Sequence, residues 1–317
     1  MQARAGAADG NEAQAAYGLR KPPRTIAATG PSTLRAMRIL ITGAAGMLGL
    51  DLRQAAMAAG HETVALSRSQ LDITDAGAVT AAVVAAAPQA VINCAAWTDV
   101  DGAETRFADA LAINGPGAGN VAAAAAGTGA WTIHVSSDYV FNGRKESPYV
   151  ESDAVDPIGA YGRSKLQGEL DVAAAAGARQ TTVRSSWLFG AGGPCFPKTM
   201  LRLAGERPAL NVVSDQIGCP TFTGHLAQAL LTLAQDPVPG VLHVAGAGFC
   251  SWYEFATEIV AAAGADCEVS PIATAEYPTP ARRPAYSVLE SERGAPELPP
   301  WRAGLAQFMA ERAEVAA

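Results

Sequence analysis

Residues 42–49 read Thr42-Gly43-Ala44-Ala45-Gly46-Met47-Leu48-Gly49, with three glycines at a GxxGxxG spacing. They stand between a short apolar run, 38–42 (RILIT), and a helical pattern that continues to about Ala59. Each glycine has a physical task there: a sharp turn, close approach of the backbone to a pyrophosphate, and tight packing of helix on strand. The helix N-terminus behind them presents unpaired N–H groups and the positive end of its dipole to phosphate. The spacing alone is a weak signal, and its place at the opening of a strand–turn–helix unit gives it weight. Gly43, Gly46, Met47, Leu48 and Gly49 are therefore expected to hold a dinucleotide.

Outward from this turn the pattern repeats. Residues 63–66 (TVAL) form a second strand; Asp75 caps an Ala/Val helix that ends before Pro88; residues 90–93 (AVIN) form a third strand. A helical stretch near 111–126 leads to a fourth strand, 131–136 (WTIHVS). Strands alternating with helices of this length predict an α/β fold, a doubly wound parallel sheet of the Rossmann kind. After Gly190 the alternation fails, and the Pro-rich stretches 276–284 and 296–300 predict a smaller, irregular C-terminal substrate domain. A helix near 225–234 and a strand near 241–244 are candidates for returning to the main sheet. The expected division is a dinucleotide-binding domain over 37–190 and a mainly substrate domain over 191–317, with 222–246 shared. Residues 1–36 lack apolar periodicity and the apolar core of a secretory signal; they read as a disordered tail, in which Asp9 and Glu12 weaken the transit-peptide look of Arg4, Arg20, Arg24 and Arg35.

Composition narrows the partners. The 317 residues are 49% hydrophobic but only 6% aromatic, so the core is small and aliphatic, suited to close helix-on-sheet layers. A net charge of −7 argues against nucleic acid, whose phosphates need clustered Lys and Arg. Cys94, Cys195, Cys219, Cys250 and Cys267 are an odd, scattered set without CxxC, which fits a reducing, cytoplasmic setting. No apolar run is long enough to span a membrane, so no membrane partner is expected. Four scattered His and no GxSxG leave neither a zinc centre nor a hydrolase elbow; Asp99 and Asp101 read as a helix start, and no metal site is expected.

Two further features point to redox chemistry. The second strand ends Ser67-Arg68, with a cation where an NAD site usually carries an acid. Arg68 thus favours the 2′-phosphate of NADPH, NADH being the second choice; a solvated loop arginine is the bland reading. Tyr161 and Lys165 stand at i and i+4, one above the other on a helix. An ammonium one turn away favours the phenolate and is expected to bring the tyrosine into working range. Lys165 can also hold a nicotinamide ribose. Ser137 would bind a carbonyl oxygen to which Tyr161 passes a proton. Tyr17 and Lys21 share the spacing but lie in the tail, so spacing alone proves nothing.

Taken together, GxxGxxG, a serine ending strand four and YxxxK resemble the extended short-chain dehydrogenase/reductases. More narrowly, the chain resembles the dTDP-4-dehydrorhamnose reductase family, on residues 91–104 (VINCAAWTDVDGAE), 136–143 (SSDYVFNG), 161–169 (YGRSKLQGE), 184–189 (RSSWLF), 215–221 (DQIGCPT) and 277–284 (YPTPARRP). These run in family order over nearly the whole folded chain. The resemblance implies NADPH-dependent reduction of dTDP-4-dehydro-L-rhamnose to dTDP-L-rhamnose, with Ser137, Tyr161 and Lys165 catalytic. Ser137 stands where the family often has Thr, which keeps the hydroxyl. Asp138, Tyr139 and Trp187 fall on substrate positions; Gly43, Gly46, Gly49, Asp72, Ile73, Asn93, Ala95 and Ala96 fall on cofactor positions. Asp72 would accept from the adenine amino group, and Trp187 would offer a flat wall to the sugar or else sit in the core. Arg282 and Arg283 would pair with the diphosphate of the dTDP-sugar or form a solvated basic loop.

Two other functions compete: reduction of a different 4-keto deoxysugar nucleotide, and a non-catalytic regulatory subunit of the same fold. The complete Ser137–Tyr161–Lys165 set speaks against the second, since binding alone has no need of all three. Monomer and homodimer are both left open by the sequence.

Overall fold

The computed structural model of the protein describes residues 36–316. The expectations for the tail, including the Tyr17–Lys21 pair, lie outside the described residues. The first half runs β1 (Arg38–Thr42), α1 (Met47–Ala58), β2 (Glu62–Leu66), α2 (Ala76–Ala86), β3 (Ala90–Asn93), α3 (Gly102–Thr105), α4 (Phe107–Ala112), α5 (Ala118–Thr128), β4 (Trp131–Ser137), α6 (Ala160–Ala176) and β5 (Gln180–Ser185). Then follow β6 (Leu188–Phe189), α7 (Phe196–Glu206), β7 (Ala209–Val213), β8 (Ile217–Gly218), β9 (Thr221–Phe222), α8 (Thr223–Gln235), β10 (Gly240–His243), β11 (Cys250–Ser251), α9 (Trp252–Ala262), β12 (Glu268–Ile272) and α10 (Trp301–Ala316).

Six strands form one parallel sheet in the order β10-β5-β4-β3-β1-β2. From β1 the chain first adds β2 on one side and then builds β3, β4 and β5 on the other. The strand order therefore reverses between β1 and β3, and the crevice beyond their carboxyl ends is where such sheets bind ligands. The burial of β1 and β3 is nearly complete, as continuous apolar runs in a two-sided sheet require.

Local signals explain the helix ends. Asp75 accepts from the Ala78 N–H at 2.9 Å and caps α2, which stops at a left-handed Ala87 before Pro88. The helix anticipated near 111–126 is instead α4 and α5 joined by a π-helical turn over Ile113–Gly117. Pro116 sits in that turn, where the wider spacing accommodates a residue with no N–H to give. Helix α8 packs on α1, and β10 is the sheet's edge strand. Leu52, Leu226 and Leu230 are wholly buried in this layer, each contributing roughly 1.5–3 kcal/mol.

A second core gathers Met200, Leu210, Phe255, Ile259, Leu305 and Phe308 from the C-terminal half. The Pro-rich stretches 277–284 and 296–300 carry no helix or strand run, as expected, while the chain around them forms three helices, α7, α9 and α10, and the strand pairs β6–β9, β8–β11 and β7–β12. We divide the molecule accordingly, into a sheet lobe that includes α8 and β10 and a smaller lobe around this second core. Among the described residues no helix is long and apolar enough to cross a membrane.

Candidate active site

A cleft of about 670 Å³ opens at the carboxyl ends of β1, β3 and β4 and extends to the first residues of α9. Its floor at one end is the glycine turn. Gly43 has φ +66°, and a Cβ there would lie 2.5 Å from the Ala95 nitrogen. A Cβ on Gly49 would lie 2.5 Å from the Gly43 carbonyl oxygen. The turn and the β3 loop are thus pressed together, and only glycine fits. Helix α1 starts at Met47 with no side chain capping its N–H groups, so they face the cleft unclaimed. An uncapped helix start beside a glycine turn fits a dinucleotide pyrophosphate.

Met47, Leu48, Arg68, Asp72, Ile73, Ala95 and Ala96 all line this end. Arg68 is exposed at its mouth. Asp72 Oδ1 accepts from Thr74 N at 3.0 Å and from Thr74 Oγ1 at 2.8 Å, and these bonds hold its carboxyl below the usual range. Two expected cofactor residues do not line the cleft. Ser67 closes its own turn, its hydroxyl 2.8 Å from Gln70 Oε1. Asn93 lies buried under the floor: its Oδ1 accepts from Thr42 Oγ1 at 2.6 Å and from Ala95 N at 3.2 Å, while its amide meets His134 Nδ1 at 3.2 Å. It fixes the backbone of Ala95, which does line the cleft.

Ser137, Tyr161 and Lys165 line the middle of the cleft together. Ser137 ends β4, and α6 carries the other two on one face. Lys165 Nζ donates to the Val135 carbonyl at 2.7 Å. Burial brings the Lys165 ammonium down to about 8, opposed by the Glu169 carboxylate one turn along. Burial also pushes the Tyr161 phenol up to about 12, against the hydrogen bond it shares with Ser137. This corrects the sequence reading, in which Lys165 was to lower the tyrosine: desolvation dominates. Ser137 Oγ donates to Asp138 Oδ1 at 2.9 Å and accepts from Tyr139 N at 3.1 Å. Burial raises the Asp138 carboxyl to about 6, against hydrogen bonds from Ser287 and Ser137.

Asp138, Tyr139 and Trp187 reach the far end. The Tyr139 and Tyr161 rings meet edge to face at 5.6 Å. Trp187 takes a left-handed φ of +46°, rare for a bulky residue, and stacks on Trp252 with ring centroids 3.4 Å apart. Arg282 and Arg283 are not in the lining. Arg282 is exposed, and Arg283 is paired with Asp101 at 2.9 Å, so a diphosphate role would require it to leave a carboxylate. Asp99 Oδ1 accepts from Gly102 N at 2.9 Å, a helix-start contact. Among the described residues no cluster of three or more His, Cys, Asp or Glu could hold a metal ion.

Sequence reasoning missed several residues. Trp252 lines the cleft but lies in a segment with no motif around it. Asn114, in the π-helical turn, accepts from Trp97 N at 2.8 Å and donates to Trp97 O at 3.1 Å and to Ser164 Oγ at 2.9 Å, tying the β3 loop to α6. Pro116, two residues on, was the signal that the helix is interrupted there.

Residues 37–314 match the family model described as the RmlD substrate binding domain. The chain is 45% identical over 283 residues to a dTDP-4-dehydrorhamnose reductase of Mycolicibacterium smegmatis, covering 87% of this chain and 86% of that protein. It is 42% identical over 279 residues to the spore coat polysaccharide biosynthesis protein SpsK of Bacillus subtilis, covering 87% and 98%. Among solved structures, a dTDP-4-dehydrorhamnose reductase of Bacillus anthracis in complex with NADP superposes with a TM-score of 0.84 at 38% identity, covering 87% of this chain and all of that one.

Proposed function

The chain belongs to the dTDP-4-dehydrorhamnose reductase family, and from that membership we propose that it reduces dTDP-4-dehydro-L-rhamnose to dTDP-L-rhamnose with NADPH. The observation that carries the reading is the convergence of Ser137, Tyr161 and Lys165 in one cleft with an uncapped, glycine-lined helix start. Bound nicotinamide would supply the hydride. Tyr161, kept protonated by burial, would donate its phenolic proton to the ketone oxygen as the alcohol forms. Ser137 would turn its hydroxyl from Asp138 to that oxygen, and the Asp138 carboxylate would stay behind as its acceptor between turnovers. Lys165, anchored on Val135, would place a positive charge beside the nicotinamide ribose. Arg68 at the mouth supports NADPH over NADH. Five free thiols and no disulfide support a reducing, cytoplasmic setting.

The test is loss of NADPH absorbance when purified protein meets dTDP-4-dehydro-L-rhamnose. Turnover with formation of dTDP-L-rhamnose is expected. Protein that binds NADPH but leaves this ketosugar untouched would refute the assignment, and turnover confined to another 4-keto sugar nucleotide would replace it.

A further inference from the structure

Trp252 shares the cleft with Trp187 although the two residues are far apart in sequence. Two short ladders bring them together. Strand β6 pairs with β9 just after Trp187, and β8 pairs with β11 just before Trp252, with Ser251 opposite Ile217. The indoles lie nearly parallel, 4° apart, at 3.4 Å. Gly218 lies beside the same ring: a Cβ there would come within 2.5–2.8 Å of the Trp187 indole atoms. Behind Trp252 stands Phe196, with ring centroids 4.6 Å apart. The start of α9 is itself fixed, since Ser251 and Glu254 form a reciprocal cap, Glu254 N to Ser251 Oγ 3.1 Å and Ser251 N to Glu254 Oε2 2.7 Å.

The left-handed Trp187 is therefore pinned by neighbours, as such a backbone must be to persist. One face of its indole is covered, so the surface offered to a ligand belongs to the pair and not to Trp187 alone. We propose that Trp252 is a specificity-determining residue of the substrate site, which locks Trp187 by stacking and completes an apolar wall for the C–H face of a deoxysugar. A hydroxyl turned toward that wall would lose its hydrogen bonds to water and gain none. The inference rests on the reductase reading above.

The test uses the full chain, with dTDP-L-rhamnose and NADPH affinities followed by fluorescence and turnover by NADPH oxidation. Trp252→Leu should weaken dTDP-L-rhamnose and raise the ketosugar KM by roughly 10–100-fold, the usual worth of a central aromatic anchor. Its kcat should change less, and NADPH affinity should stay within about twofold. Trp252→Phe, which keeps an aromatic ring, should recover most of the loss. If the wild type binds the product and Trp252→Leu binds it equally well, this proposal falls while the reductase reading stands. Equal weakening of NADPH would make Trp252 a packing residue and overturn the proposal. A wild type that binds NADPH but neither dTDP-L-rhamnose nor the ketosugar would overturn both.

Discussion

Tyr161 and Lys165 are the same two residues in sequence and in space, yet their ionisation differs from what their spacing implies. The phenol is pushed to about 12 and the ammonium drawn down to about 8, both by burial. Across the neutral range Tyr161 keeps the proton that a reduction must deliver. Tyr161→Phe should lower the reduction rate by roughly 10²–10⁴-fold with NADPH binding intact. An alkaline decline of activity would then be set by Lys165, which is charged below its pKa and neutral above it. Activity should fall as pH rises through about 8. Lys165→Arg keeps a charge that does not titrate there, so its residual activity should lose that limb. A decline near the same pH in Lys165→Arg would show that another group sets it.

Helix α6 carries Tyr161, the proton donor we propose, and one buried side chain fastens the helix to the sheet. Glu169 Oε1 accepts from Ser136 Oγ at 2.6 Å and from Arg184 Nε at 2.9 Å, while Oε2 accepts from Arg184 at 2.7 Å. Both members of the pair are buried, with 5% and 6% of their side chains exposed, so neither can turn to water if the other is lost. Glu169→Ala should therefore cost about 3–5 kcal/mol in denaturant unfolding. A cost below about 1 kcal/mol would mean that Arg184 finds another partner. The same contrast between local and distant contacts explains what the sequence disclosed. Strands β1 to β4, the Asp75 cap and the glycine turn are set by neighbours in the chain, so a linear reading reaches them. Trp252 and Asn114 act through contacts made only when separate segments meet, and nothing near them in sequence announces it. Trp187 and Asp138 were legible only through the family resemblance.

At the scale of the whole molecule, two loops are joined by residues 182 positions apart. The stretch 277–284 carries Pro278, Pro280 and Pro284, which limit its conformations, and it docks on Asp101 just before α3. Asp101 Oδ1 accepts from Ala281 N at 3.0 Å, and Oδ2 accepts from Arg283 at 2.9 Å. Arg283 also donates to the Ala281 carbonyl at 3.0 Å and bonds Thr279, and its guanidinium reaches the side chain of Tyr139, which lines the cleft. The contact thus links the 277–284 loop to a residue that lines the cleft. Its side chains are partly exposed, 21% and 37%, so its worth to stability is small, about 0.2–1 kcal/mol. Asp101→Asn should leave the melting temperature nearly unchanged and raise the KM for the dTDP-sugar by up to about fivefold, the equivalent of 1 kcal/mol. NADPH affinity should not move, because the glycine turn lies at the other end of the cleft. The Arg283 hydrogen bond holds the Asp101 carboxyl below its ordinary value. A carboxyl depressed on folding stabilises above the unfolded value, near 3.9, and loses that contribution as pH falls through its folded pKa. The strap should hold at every pH where the enzyme is assayed, so the KM difference between wild type and Asp101→Asn should stay constant from about pH 6 to 8. A difference that varied strongly within this window, or a matching loss of NADPH affinity, would show that Asp101 acts by a route other than the Arg283 strap.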